Sequence, residues 1–170
     1  MIDELRPMVV DRLWDRYSKT GIKFPENILY YRDGVGDSQF EEVKKKELED
    51  IRRGFEDFLT ELREESDDPI EEPMRPKLTA VVCTKRHHTR FYPTQPADMQ
   101  SNGQDNCKPG TLVDQSVTSP YFTDFYLQSH NGIKGTAKPA HYFVLVNEME
   151  IGVSDLQHLV SASSLHTLSR

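Results

Sequence analysis

The sequence has few of the residues that cross-link small domains or bind zinc. Its 170 residues include two cysteines, Cys83 and Cys107, which form no C-x-x-C pair and match no zinc-knuckle spacing. A disulfide between them is disfavoured in a reducing compartment, and the apolar neighbours of Cys83 predict a small buried side chain. Disulfide-rich and zinc-stabilised folds are therefore not expected.

Long apolar runs and a positive net charge are also missing. No run of about 18 apolar residues occurs and the first residues show no secretory signal, so we expect a cytoplasmic protein, with the nucleus as the alternative. The net charge of −7 does not favour a nucleic-acid partner unless basic residues cluster locally. The length and the 36% hydrophobic content suit one domain with its own core.

The order of the predicted elements is typical of an α/β domain. An amphipathic helix from about Arg6 to Thr20 precedes an apolar strand over 27–32. A long helix over 39–65 then separates this strand from a second apolar strand over 77–84. Buried strands joined by a helix predict parallel pairing with a right-handed crossover. Further strands are predicted over 111–114, 122–129 and 142–146, before a final helix that begins near Ser154.

Asp33 is the first candidate for catalysis. It follows the apolar strand over 27–32, and open α/β sheets place their active chemistry at such carboxyl ends. A carboxylate there suits a divalent ion for phosphodiester chemistry. The alternative is that Asp33 only stabilises the turn after the strand. Asp37, Asp114 and Asp124 are further carboxylates in the chain, but no comparable argument places them beside Asp33.

A basic segment, Lys85 to Arg90, is the second candidate. It carries three fixed positive charges and two histidines, and it directly follows the second apolar strand. We therefore expect it at the same sheet edge as Asp33, where it could bind phosphates. The alternative is a solvated strand end. Adjacent His87 and His88 do not match the spacing of zinc ligands.

Two loops and an acidic stretch complete the pattern. His130, Lys134 and Lys138 flank glycines that would let a phosphate approach the backbone, although an ordinary basic hairpin looks the same. Residues 93–109 are rich in Pro, Gln and Asn and predict an exposed loop. Residues 61–72 contain seven acids and one base, which is typical of a solvated helix end. The alternative is a protein-interaction module that uses this acidic stretch.

Five blocks of the sequence resemble the Argonaute family. They match Y-R-D-G-V-x-x-x-Q-F, K-R-H-H-T-R, P-G-T-x-V-D, D-F-Y-L-x-S-H and G-x-x-G-T-x-[RK]-P-x-H-Y. In chain order they are Tyr31–Phe40, Lys85–Phe91, Pro109–Asp114, Asp124–His130 and Gly132–Tyr142. Their order and spacing agree across nearly the whole chain, so the sequence is identified as a member of this family.

The resemblance implies a Piwi domain with an RNase H-like α/β fold. The family's first strands and its C-terminal end have no counterpart here, so we expect residues 1–170 to form an incomplete Piwi domain. The stretch over 64–76 looks longer than is usual in the family, which predicts an acidic surface insertion.

Family membership also implies partners and a cofactor. Argonautes hold a small guide RNA, and many cut a complementary target RNA with two divalent ions, Mg²⁺ or Mn²⁺. Of the family's four metal ligands only Asp33 falls within this chain, which predicts that the chain alone binds no metal and is inactive. The other expected partner is the remainder of an Argonaute chain, with no membrane. The alternative is an Argonaute that binds guide and target without cutting.

The matched motifs also imply guide-binding residues. By resemblance, Lys85, Arg90, His130, Lys138 and Arg170 would contact guide phosphates. Lys138 stands where many members have arginine, and lysine lacks the planar fork of a guanidinium. This substitution leaves the strength of one phosphate contact open.

Overall fold

The structure is a computed structural model that describes residues 2–21, 24–66, 69, 73–101, 105–132 and 135–167. The chain divides into two compact units, one formed by 1–28 and 37–78 and the other by 29–36 and 79–170. The helices are α1 (Leu5–Thr20), α2 (Phe40–Lys45), α3 (Glu47–Glu65) and α4 (Val153–Thr167). The strands are β1 (Asn27–Asp33), β2 (Lys77–Thr84), β3 (Thr111–Val113), β4 (Asp124–Gln128) and β5 (Ala140–Asn147).

Helices α1 and α3 form the core of the first unit. Gly21 ends α1 with a φ of 70°, and its N–H donates to the Tyr17 carbonyl at 2.9 Å. Phe58 of α3 is the centre of the contact, with its ring 5.2 Å from that of Trp14 and 6.2 Å from that of Tyr17. The edge-on geometry of these rings is favourable beyond simple apolar burial. Within the described residues, no helix has both the length and the apolar character required to cross a bilayer.

The long helix predicted over 39–65 is wrong, because the chain breaks at Lys46. Helix α2 ends at Lys45, Lys46 has φ −102° and ψ −63°, and α3 begins at Glu47. Backbone hydrogen bonds nonetheless continue across this residue, since Lys46 N–H donates to the Glu42 carbonyl and Asp50 N–H donates to the Lys46 carbonyl, both at 2.9 Å. Val43 before the interruption and Leu48 and Ile51 after it are almost fully buried.

The five strands form one sheet in the order β1-β2-β5-β4-β3. Lys77 N–H bonds the Glu26 carbonyl at 2.9 Å, and Gly34 N–H bonds the Cys83 carbonyl at 3.2 Å. The first bond joins the beginnings of the two strands and the second joins their ends. Strands β1 and β2 therefore run parallel, as predicted. Strand β5 is antiparallel to both β2 and β4, and β3 is antiparallel to β4. Strands β1, β2 and β4 therefore end at the same edge of the sheet, where β3 and β5 begin.

Strand β1 was predicted to be buried, and this is wrong. None of its seven residues is buried, and Tyr31 is 37% exposed. The reason is its place in the sheet: β1 is an edge strand, so only one side of its backbone is paired within the described chain. Cys83, also expected to be buried, is half-buried on the neighbouring strand β2.

The second unit packs different groups on the two faces of its sheet. On one face, Phe125 and Tyr142 stack with ring centres 5.3 Å apart, and α4 covers them with Leu156 and Val160. On the other face, Tyr126 of β4 and His141 of β5 form a second stacked pair. They lie on that face because side chains alternate between the two faces along a strand. The apolar face supplies the core of this unit.

Candidate functional site

The sheet topology brings the predicted site residues of the second unit to one place. We call this place the site edge: the edge where β1, β2 and β4 end and β5 begins. Asp33 ends β1, Lys85 follows β2, His130 lies just beyond β4, and Lys138 lies just before β5. The pairing of the first two was expected from parallel strands, whereas the other two required knowledge of the antiparallel neighbours. Arg170 and Lys134 lie outside the described residues.

Asp33 is held by a turn that needs glycine next to it. Gly34 has a φ of 76°, a left-handed conformation that other residues rarely adopt. Its N–H bonds the Cys83 carbonyl of β2, and the Arg32 guanidinium donates to the carbonyl of Asp33 itself at 2.6 Å. The backbone is thus tied down while the Asp33 side chain remains exposed. An exposed, rigidly mounted carboxylate can bind a cation.

The negative charge of Asp33 acts on one side chain of β2 and on one of β5. Burial raises the pKa of the Tyr142 hydroxyl and of the Cys83 thiol, and the negative charge of Asp33 raises both further. These two side chains, which also hydrogen-bond each other, therefore stay neutral at physiological pH. Lys85 also acts on this pair, because its positive charge lowers the pKa of Cys83.

Lys85 and His130 are neighbours at the site edge. Burial lowers the pKa of the His130 imidazole, and the positive charge of Lys85 lowers it further. The position of His130 is set by its own strand end, where the Gln128 amide donates to the His130 carbonyl at 2.6 Å. His130 is uncharged at physiological pH as a result, and it lies beside the cation Lys85 at the site edge.

Arg90 and Lys138 are brought together around His87. The His87 ring donates from Nε2 to the Pro139 carbonyl at 2.9 Å. Burial lowers the pKa of His87, and the charges of Lys138 and Arg90 contribute in the same direction. His87 therefore lies within electrostatic range of both Lys138 and Arg90 and is uncharged at physiological pH, a placement that sequence reasoning did not predict.

A buried cluster lies beneath the basic segment. His141 of β5 donates from Nε2 to the Asp124 carboxylate at 2.6 Å, and the other Asp124 oxygen accepts from the Ser119 N–H at 2.8 Å. Asp124 and His141 are only 5% and 8% exposed. Both carboxylate oxygens are engaged, so Asp124 is not the second ligand partner of Asp33. Asp114, another carboxylate considered for that role, accepts from the Gln157 amide at 3.1 Å.

Within the predicted exposed loop over 93–109, the described residues 93–101 and 105–109 are mostly exposed, and Gln100, Asn106 and Cys107 are buried. The Gln100 side chain exchanges two hydrogen bonds with the backbone of Gly132, at 2.9 and 3.3 Å. The Asn106 amide donates to the Gly135 carbonyl and accepts from the Ala137 N–H. These buried amides hold the loop that carries Lys138. No local pattern identifies such pairs, because the partners are about 30 residues apart.

The Asp33 carboxylate at the site edge has the chemistry of one ligand for a hard cation. The oxygen of a carboxylate suits Mg²⁺ or Mn²⁺. Among the described residues, however, no group of three His, Cys, Asp or Glu side chains is close enough to hold a metal ion. Asp33 is an exposed carboxylate of this chemistry at the site edge.

Lowering the pH is expected to destabilise the second unit. His87 and His130 both have lowered pKa values in the folded protein. The unfolded chain therefore binds more protons, and the free energy of unfolding falls as the pH drops below about 6.5. We expect the thermal midpoint to fall between about pH 7 and pH 5.5, and His87→Gln to reduce this slope. His88→Gln, at an exposed position, is the control, and equal slopes for wild type and His87→Gln would contradict the expectation.

Comparison with known proteins agrees with these observations. A family model described as the Piwi domain matches residues 1–169. Protein argonaute 9 of Arabidopsis thaliana is 37% identical over 157 residues, which are 92% of this chain and 15% of that protein. Protein argonaute 3 of Oryza sativa subsp. japonica is 41% identical over 145 residues, which are 85% of this chain and 12% of that protein. The chain thus spans a small part of these relatives.

Solved structures give the same result. The C-terminal lobe of a budding yeast Argonaute aligns with a TM-score of 0.80 and 30% identity, over 92% of this chain and 31% of that one. Kluyveromyces polysporus Argonaute with a guide RNA aligns with a TM-score of 0.80 and 30% identity, over 94% and 19% of the two chains. Drosophila Piwi reaches 0.67 at 33% identity, over 91% of this chain and 19% of that one. These neighbours confirm the predicted fold class, a partial RNase H-like α/β domain.

Proposed function

Since this chain belongs to the Piwi domain family of Argonaute proteins, we propose that it forms part of an Argonaute that binds a small guide RNA and supports cleavage of a complementary target RNA. One observation carries the proposal: the site edge gathers an exposed carboxylate and several cationic side chains within one compact unit. Phosphodiester chemistry on a bound nucleic acid needs these two kinds of group together.

The cationic part of the site edge suits the guide. Lys85 lies beside His130, and Arg90 and Lys138 lie around His87. Local charge of this kind overcomes the acidic net charge of the chain, because phosphate binding depends on nearby cations. One solved relative, the Kluyveromyces polysporus Argonaute, holds a guide RNA. Arg170 belongs to the same proposed set by its motif position alone.

The Asp33 carboxylate at the site edge suits cleavage of the target RNA. In the complete domain Asp33 would be one ligand of a divalent ion, with its other ligands supplied from outside the described chain. Such an ion would neutralise charge that develops on the phosphate being cleaved. Asp33 contributes a fixed, exposed oxygen donor, and the turn at Gly34 keeps it aimed away from the sheet core.

Replacing Arg90 by alanine should weaken guide binding, because the variant has one cation fewer to neutralise the phosphates. In a full-length Argonaute that contains this segment, we expect lower affinity for guides of any sequence. The slope of log K against log salt should shrink by about 0.7 for each phosphate of a single strand that is no longer neutralised. The measurement is a salt titration with a fluorescent 5′-phosphorylated guide RNA. Lys138→Ala should behave in the same way.

Arg53→Ala is the matched control for this experiment. It removes the same charge from α3, in the other unit, where Arg53 pairs with Glu49. The control should leave the salt slope unchanged. An unchanged slope in Arg90→Ala and Lys138→Ala would show that the site edge does not bind guide phosphates.

The binding-only alternative differs from the main proposal in one result. A full-length protein that holds its guide and its target but leaves the target intact would support an Argonaute without cleavage activity. The described residues are compatible with this alternative, because they supply a single candidate ligand, Asp33.

A further inference from the structure

A chain of ring contacts joins the buried Asp124–His141 pair to the basic segment. The His141 ring stacks on Tyr126 with centres 3.9 Å apart and planes 10° apart. Tyr126 in turn makes edge-on contacts with two further rings, that of His87 in the basic segment at 5.3 Å and that of Phe91 directly after it at 5.4 Å. The chain from His87 to Phe91 therefore rests on Tyr126 at both of its ends, with Arg90 between them.

The same contacts help to locate two cations, Arg90 and Lys138. Arg90 lies between the two resting points and donates to the Thr89 carbonyl at 2.8 Å. Lys138 precedes Pro139, whose carbonyl accepts the hydrogen bond from His87. Among the described residues, the other ring nitrogen of His87 is buried and has no hydrogen-bond partner. Ring packing on Tyr126 and the hydrogen bond to Pro139 thus fix the position of His87. Since Arg90 and Lys138 lie close in sequence to these two anchors, the position of His87 also sets the distance between them.

We propose that Asp124 and His141 are positioning residues for phosphate binding, which hold Tyr126 as a platform and thereby set the spacing of Arg90 and Lys138. This inference rests on the proposed guide-binding function and names a set of residues that does not touch the RNA. The pair is suited to the task because both carboxylate oxygens of Asp124 are hydrogen-bonded, one to His141 and one to the Ser119 backbone. A buried network with its groups satisfied is rigid.

The test compares variants of the full-length protein in the same salt titration with a 5′-phosphorylated guide RNA. His141→Phe keeps a ring on Tyr126 but cannot bond Asp124, and Asp124→Asn removes the charge with little change in volume. We expect either variant to weaken guide binding and to reduce the salt slope by up to about 1.4, which corresponds to two phosphates.

Phe125→Leu is the control for general loss of packing. Phe125 neighbours Tyr126 in β4 but faces the core of the opposite sheet face. It should lower the thermal midpoint and leave the salt slope at the wild-type value. A purely structural role for Asp124 and His141 would give this same result in their variants, and that result would overturn the proposal.

A double variant separates failure of this inference from failure of the proposed function. If Arg90 is already misplaced in His141→Phe, adding Arg90→Ala should cost much less affinity than it does alone. Full additivity would overturn the positioning role while leaving guide binding intact. An unaltered salt slope in Arg90→Ala alone would instead contradict the guide-binding function itself. Asp124→Asn provides the same comparison if His141→Phe folds poorly.

Discussion

Asp33→Ala is expected to abolish guide-directed cleavage by a full-length Argonaute that contains this segment, while the protein still binds its guide. The reason is that Asp33 is an exposed carboxylate at the end of β1, on a backbone fixed by Gly34 and β2. Loss of a metal ligand removes several kcal/mol of transition-state stabilisation, which corresponds to a rate loss of at least about a hundredfold. The measurement is single-turnover cleavage of a labelled target RNA in Mg²⁺.

Two further variants make this result specific. Asp33→Asn keeps the size of the side chain and removes its charge, so it should fail as Asp33→Ala does. Asp37→Ala removes a carboxylate only a few residues later, from a 3-10 turn outside the site's unit, and should cleave normally. Equal cleavage by wild type and Asp33→Ala would rule out a ligand role. A wild type that binds guide and target without cutting would favour the binding-only alternative, with Asp33 no longer in use.

Gly54→Leu is expected to disrupt the packing of α1 on α3 and to destabilise the protein severely. A Cβ atom at Gly54 would lie 2.9 Å from the Arg6 carbonyl oxygen and 2.9 Å from Cβ of Val9. The first of these neighbours is backbone and the second is a stiff β-branched side chain, so neither can move aside easily. We expect a loss of at least about 3 kcal/mol in the free energy of unfolding, from overpacking that forces the helices apart.

Alanine at the same position tests the balance of two effects. Gly54→Ala gains about 1 kcal/mol of helix propensity but still places a Cβ against α1. We expect the clash to exceed the gain, with a net loss of about 1–2 kcal/mol in urea unfolding. Gly36→Ala is the control, because its Cβ would meet nothing within 4 Å. Equal or higher stability of Gly54→Ala would mean that the helices can separate at little cost.

Local patterns in the sequence were enough to predict most of the elements. Helix α1, strand β2 and the parallel pairing of β1 with β2 agree with the structure, because apolar periodicity and Gly21 act within a few residues. Asp33 and the basic segment were placed at one edge by the same local argument. The family motifs also read directly from the chain, and the structural neighbours bear out the fold that they implied.

Only the tertiary structure decided the exposure and the partners of the remaining residues. Strand β1 has an apolar sequence but is half-exposed, because exposure depends on which strand lies beside it. The interruption of the helix at Lys46 is likewise seen only in the structure. Apolar periodicity continues through this residue and therefore predicts one uninterrupted helix.

The sequence by itself determined what chemistry this protein can carry: a carboxylate at a strand end, a basic segment after the next strand, and the motifs of its family. The structure decided how those groups are arranged and held. Asp124 bonds His141, seventeen residues away, and Gln100 bonds Gly132, thirty-two residues away. The physical reason is that such hydrogen bonds depend on strand register and loop closure, which bring residues together that are distant in sequence. The residues adjacent in sequence to either partner therefore give no indication of the bond.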